Sequence, residues 1–131
     1  MKAKFGVFAM GLLAAAVPML AHHSFSAEFD SSKPVTLKGS VTKVDWLNPH
    51  IWIYLDVKDD SGKVASWQCE GGPPNTLTRN GWTKNDLKQG DAITISGTLA
   101  KDKSNSCNAS QVILPDGRHV FAGSSNPDAQ K

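Results

Sequence analysis

Ile51, Ile53, Leu55 and Val57 alternate with Trp52, Tyr54 and Asp56, and this two-residue period puts four apolar side chains on one face of an extended strand. A helix would scatter them around its circumference, so the chain here is committed to a sheet with one buried face. The same period recurs at Val35, Leu37, Gly39 and Val41, at Ala65, Trp67 and Cys69, and at Ile93, Ile95, Gly97 and Leu99. In the first of these runs the apolar character changes parity further on, at Val44 and Trp46. A one-residue slip close to Gly39 predicts a β-bulge in a long, coiled strand of the kind that closes a small barrel. A fifth run spans about Asn108 to Leu114, and the turn Pro115-Asp116-Gly117-Arg118 leads to a short piece, His119 to Phe121.

Local turn chemistry sets the order of these strands. Asp59-Asp60-Ser61-Gly62 makes a hairpin turn between the second and third. Gly71-Gly72-Pro73-Pro74 ends the third strand, and Asn75 to Asn80 is a helix of two turns at most, with Gly81 at its C-terminal cap. Trp82 follows as a plug for one end of the core. Thr83 and Asp86 occupy capping positions, and Lys88-Gln89-Gly90-Asp91 delivers the chain into the fourth strand. Three strands, a short helix, then two strands is the order of a five-stranded OB-type Greek-key barrel, an all-β fold. A β-sandwich is the rival, but seven strands at its usual spacing would crowd this chain.

Residues 1–21 have the pattern of a secretory signal peptide: Lys2 and Lys4, an apolar run from Phe5 to Ala16, then Val17-Pro18-Met19-Leu20-Ala21. The run is too short for a membrane span, and no later segment is apolar enough for one. Cleavage after Ala21 is expected to leave a soluble periplasmic domain over residues 22–122, with a small polar tail at 123–131. The whole chain carries 14 Lys and Arg against 12 Asp and Glu. Two of those lysines lie in the leader, so the mature part is charge-balanced. That balance argues against nucleic acid, whose binding depends on an excess of basic residues that releases counterions.

In an exported protein the pair Cys69 and Cys107 invites a disulfide, closing a loop of about 38 residues for roughly 4 kcal/mol. Against it, Cys69 ends the third strand and Cys107 lies near the start of the fifth. Parallel pairing of those strands is expected to set the sulfurs at opposite rims, beyond the Cα separation of about 7 Å that a bridge allows. Bridged and unbridged forms both stay open.

The histidines are unevenly placed. Cleavage after Ala21 would give His22 both a free α-amine and a ring nitrogen, a chelate for Cu(II) or Zn(II) that His23 or His50 would complete. The plain alternative is two solvated histidines at a terminus and His50 as a turn residue after Asn48-Pro49. A second group is aromatic: Trp52 and Tyr54 on the outer face of the second strand, with Trp46 and Asn48 nearby, suited to a glycan, a small molecule or a partner protein of the envelope. These rings would otherwise pack under the segment carrying Phe25 and Phe29. No nucleophile elbow, phosphate loop or zinc-protease helix is present, and Glu70, Asp56 and Asp91 have no evident carboxylate partner, so a non-enzymatic role is expected.

His22-His23-Ser24-Phe25, the stretch Trp46-Leu47-Asn48-Pro49-His50-Ile51-Trp52, Glu70-Gly71-Gly72 with Pro74-Asn75, and Gly81-Trp82 together resemble a family of small exported bacterial proteins whose domain has no assigned function. The chain is also similar to bacterial periplasmic OB-fold proteins, which are binding modules rather than catalysts. The resemblance implies export and a β-barrel and brings no activity or ligand. Met19 departs from the small residue common before that family's cleavage point, which bears on whether His22 is the first residue.

Overall fold

The computed structural model describes residues 25–124. One helical turn, α1 (Phe25–Glu28), leads into β1 (Phe29–Asp45), β2 (Trp52–Lys58), β3 (Val64–Glu70), α2 (Pro74–Arg79), a 3-10 turn at Lys84–Asp86, then β4 (Ala92–Ala100), β5 (Ser106–Ile113) and β6 (His119–Phe121). The fold is all-β. The short piece after the last turn is a true sixth strand, antiparallel to β5 through Gln111, Val112 and Ile113.

The 17 residues of β1 decide the architecture. Its first part, from Pro34 to Ser40, pairs with β4, and Gly39 to Asp45 pairs with β2, so one strand serves two neighbours. Strand order is β3-β2-β1-β4-β5-β6, and β3 also pairs with β5 in parallel, closing five strands into a ring. The bulge lies between Val41 and Lys43, later than the parity argument places it. Gly39 serves a different purpose: a Cβ there would run into the backbone carbonyl of Asp56 on β2, so the glycine permits close approach of the two strands.

Leu37, Val41, Ile53, Leu55, Ile95 and Val112 fill the ring from alternate positions of their strands, as the two-residue period requires. At one end Ile51, Leu77 and Trp82 are buried together with Val120 and Ala122. The indole Nε1–H of Trp82 donates to the Phe121 carbonyl at 2.8 Å, so its one polar atom is satisfied inside an apolar plug. Packing continues one residue past the expected end of the domain: Gly123 is buried, and a Cβ on Gly72 would overlap its carbonyl oxygen. The rest of the expected tail, 125–131, and the leader lie outside the described residues.

The 3-10 turn is a capping box. Asp86 Oδ2 accepts from the Thr83 backbone N–H at 2.7 Å and Thr83 Oγ1 accepts from Asn85 N–H, while Arg118 reaches over from the β5–β6 turn to Asp86 Oδ1. The Thr83 backbone hydrogen bond, more than Arg118, holds the Asp86 carboxyl below its ordinary value of 3.8. A carboxyl with a depressed folded-state pKa stabilises the fold above that ordinary value and ceases to do so as pH falls through the folded one. Asp86→Ala is therefore expected to cost about 1 kcal/mol near neutral pH. In urea denaturation, the gap from wild type should close progressively as the buffer is taken below the aspartate range.

Candidate functional site

Pairing between the β2 and β3 segments continues past the strand ends: Ile51 N–H donates to the Gly72 carbonyl and Gly71 N–H to that of Ile51. This extension holds His50 in place ahead of β2. His50 and Trp52 are two residues apart and share the outer face, and Trp52 stands opposite Glu70 in the ladder. The three residues therefore share one face. His50 Nδ1 is in direct contact with Glu70 Oε1 as donor to acceptor.

Glu70 is only 8% exposed. Burial pushes its carboxyl above the usual glutamate range, the His50 ring and its hydrogen bond pull it back, and the nearby charge of Glu28 pushes in the same direction as burial. The chemical consequence is an oriented imidazole. With Nδ1–H engaged by the carboxylate, the lone pair of the neutral ring sits on Nε2, the arrangement by which a carboxylate presents a histidine to a metal ion.

Three of the other expected site residues go different ways. Trp46 is half-buried and stands edge-on to Trp82, with ring centroids 5.2 Å apart and planes at 84°, so it belongs to the core plug and not to the outer face of Trp52 and Tyr54. Its neighbour Asp45 pairs with Trp52, and adjacent strand residues point to opposite faces. Asn48 is exposed in the loop between β1 and β2, where Leu47 is exposed too and the Asn48–Pro49 peptide is cis. Tyr54 is half-buried on the outer face, with Lys43 Nζ 5.2 Å from its ring centroid. His22 and His23 lie outside the described residues. Among the described residues no group of three or more His, Cys, Asp or Glu is placed to hold a metal ion.

Cys69 and Cys107 are joined, with Cα atoms 4.5 Å apart. The opposite-rim expectation fails because β3 and β5 overlap only at their ends. Gln68–Glu70 lies beside Ser106–Asn108, and the two cysteines are the central pair of that short ladder. A Gln68–Ser106 side-chain hydrogen bond of 3.1 Å stands beside the bridge.

Glu70 is the residue that sequence reasoning passes over. The signal is present: counting back from the Asp59–Gly62 hairpin pairs Val64 with Lys58 and, at the far end, Glu70 with Trp52. A carboxylate on the same face as His50 follows from that register, though its burial does not.

A family model described as a family of unknown function (DUF6152) matches residues 9–109. No curated protein matches the chain.

Proposed function

The chain belongs to this family of unknown function, and on that footing we propose that it is an exported, non-enzymatic binding protein that takes a transition-metal ion, Cu or Zn, at His50 with His22 and His23. The observation that carries the proposal is the contact of His50 Nδ1 with the buried carboxylate of Glu70, which leaves Nε2 to face a ligand. Export is read from the leader pattern and is consistent with the buried Cys69–Cys107 bridge, since disulfides persist in oxidising compartments. An OB-type barrel is the fold reading, supported by the closed order of β1 to β5 with its parallel β3–β5 pair and by α2 between β3 and β4.

Chain connectivity supports a shared site. His23 precedes Glu28 by five residues, at most about 17 Å of extended chain. Glu28 in turn is close enough to Glu70 for its charge to raise that carboxyl. A chain of that length is enough to bring the N-terminal histidines to His50 in the proposed site. A leader cut after Ala21 would add the His22 amine, and the resulting nitrogen set favours copper over zinc in intrinsic affinity. Among the described residues no helix is long and apolar enough to cross a membrane.

Calorimetric titration of Cu(II) and Zn(II) into protein whose first residue is His22 by mass spectrometry tests the reading. Tight one-to-one binding is expected, and one extra residue ahead of His22 should weaken it. Glu70→Gln is expected to lower affinity by about 10–100-fold while the fold is retained, because the charged carboxylate acceptor that orients the imidazole and raises its basicity is replaced by a weaker, neutral amide oxygen. Weak binding that is equal in all three proteins would retire the metal site.

A further inference from the structure

A cavity of 470 Å³ opens between α1 and the β4–β5 loop, lined by Phe29, Trp52, Gln68, Ser104 and Ser106 among others. A second, of 240 Å³, lies further along β2 and β3 against Tyr54, Ser66, Trp67 and Asn105, and it shares Gln68, Ser104 and Ser106 with the first. The two form one groove across the outer face of the sheet. From this lining we propose that the groove binds a neutral oligosaccharide, independently of the histidine site.

Trp52 and Tyr54 stand two residues apart on one face of β2, about 6.6 Å along the strand, so their rings offer successive platforms. Lys43 over the Tyr54 ring, itself bound to Asp45 at 3.0 Å, holds that platform in place. Between the rings and the β4–β5 loop the polar lining consists mainly of amides and hydroxyls. Gln68 Nε2 donates to Ser106 Oγ at 3.1 Å, and Gln68 N–H donates to the Asn105 carbonyl, so this part of the wall is preorganised.

The chemistry selects the ligand. A purely apolar molecule would bury the remaining hydrogen-bonding capacity of this wall, beyond the Gln68–Ser106 pair, at a cost of about 1–3 kcal/mol for each group left unsatisfied. A polyanion would meet Glu28 and Asp102 at the rim, where Lys101 supplies the opposite sign. Sugar rings present C–H faces for stacking and hydroxyls that both donate and accept, which matches aromatic rings set against Gln, Ser and Asn. The volume of the larger cavity also lies within the span of about 300–1,000 Å³ typical of small-ligand sites.

The test is calorimetric titration with maltohexaose, cellohexaose and chitohexaose, and with a sulfated hexasaccharide as the charged probe. At least one neutral hexasaccharide is expected to bind in the micromolar to millimolar range, insensitive to salt. Trp52→Ala and Tyr54→Ala should each weaken it about tenfold. Gln68→Ala, which removes an amide without touching a ring, provides a third variant, and circular dichroism establishes that each protein is folded. Sugar affinity should be the same with and without EDTA, which separates this groove from the metal reading. The proposal is overturned if no neutral hexasaccharide binds, if the sulfated one binds more tightly with steep salt dependence, or if the folded groove variants keep full affinity.

Discussion

Replacing both Cys69 and Cys107 by alanine is expected to destabilise the protein by about 4 kcal/mol, the chain-entropy value for a loop of this length. At this domain size that corresponds to a fall of about 15–30 °C in the thermal midpoint. The cysteines are 38 residues apart and both are fully buried. The parallel ladder they occupy has only three residue pairs, Gln68–Ser106, Cys69–Cys107 and Glu70–Asn108, yet it alone joins β3 to β5. Without the bridge, ring closure rests on those few backbone hydrogen bonds and on Gln68. Glu70 is the next residue along β3, so the His50 contact should loosen as well and metal affinity should fall with stability. Differential scanning calorimetry of the double variant, with the wild type measured with and without reductant, checks the expectation. A midpoint within a few degrees of the oxidised wild type would show that the ladder closes the ring without the bridge.

Trp82→Ala should be nearly as severe, at about 3–5 kcal/mol for truncating a large buried aromatic. Trp82 is 1% exposed and caps the ring together with Ile51 and Leu77. Its loss has two further effects. The Phe121 carbonyl is left without the indole donor, and Trp46 loses the ring it stands against. Trp82→Phe separates these contributions, since it restores most of the packing and none of the hydrogen bond, and should cost distinctly less. Urea denaturation gives the free energies, and a red shift of the remaining tryptophan emission in Trp82→Ala would register the exposure of Trp46. Equal costs for the two substitutions would mean that the hydrogen bond, and not the filled volume, accounts for the stabilisation.

Much of the fold is legible in the order of residues alone. The periods at Leu37 and Val41, at Ile51, Ile53 and Leu55, and at Ile93 and Ile95 predict residues that are buried. Turn chemistry is equally local. Asp59 Oδ1 accepts from the backbone of Ser61 and Lys63, Gly62 takes a positive φ of 83°, and Thr83 with Asp86 forms the cap. Such features depend on a few consecutive residues and on backbone geometry that is the same in any protein, so the sequence carries them openly.

The candidate site is less legible. Aromatic character and nearness in sequence group Trp46 with Trp52 and Tyr54, but the bulge between Val41 and Lys43 and the end of β1 turn it toward Trp82. His50 can be singled out as a histidine, whereas its partner Glu70 is twenty positions on and can be found only from the hairpin register.

What the sequence alone determined is therefore the set of strands, their inward faces and the turns between the nearest of them. Tertiary structure decided how the ring closes: that the end of β3 lies beside the start of β5, that Cys69 consequently meets Cys107, and that Glu70 is buried against His50. The physical reason is separation along the chain. A side chain's facing repeats every two residues and is set by its own backbone, but contact between segments 20 or 38 positions apart depends on the twist and stagger accumulated over every strand between them.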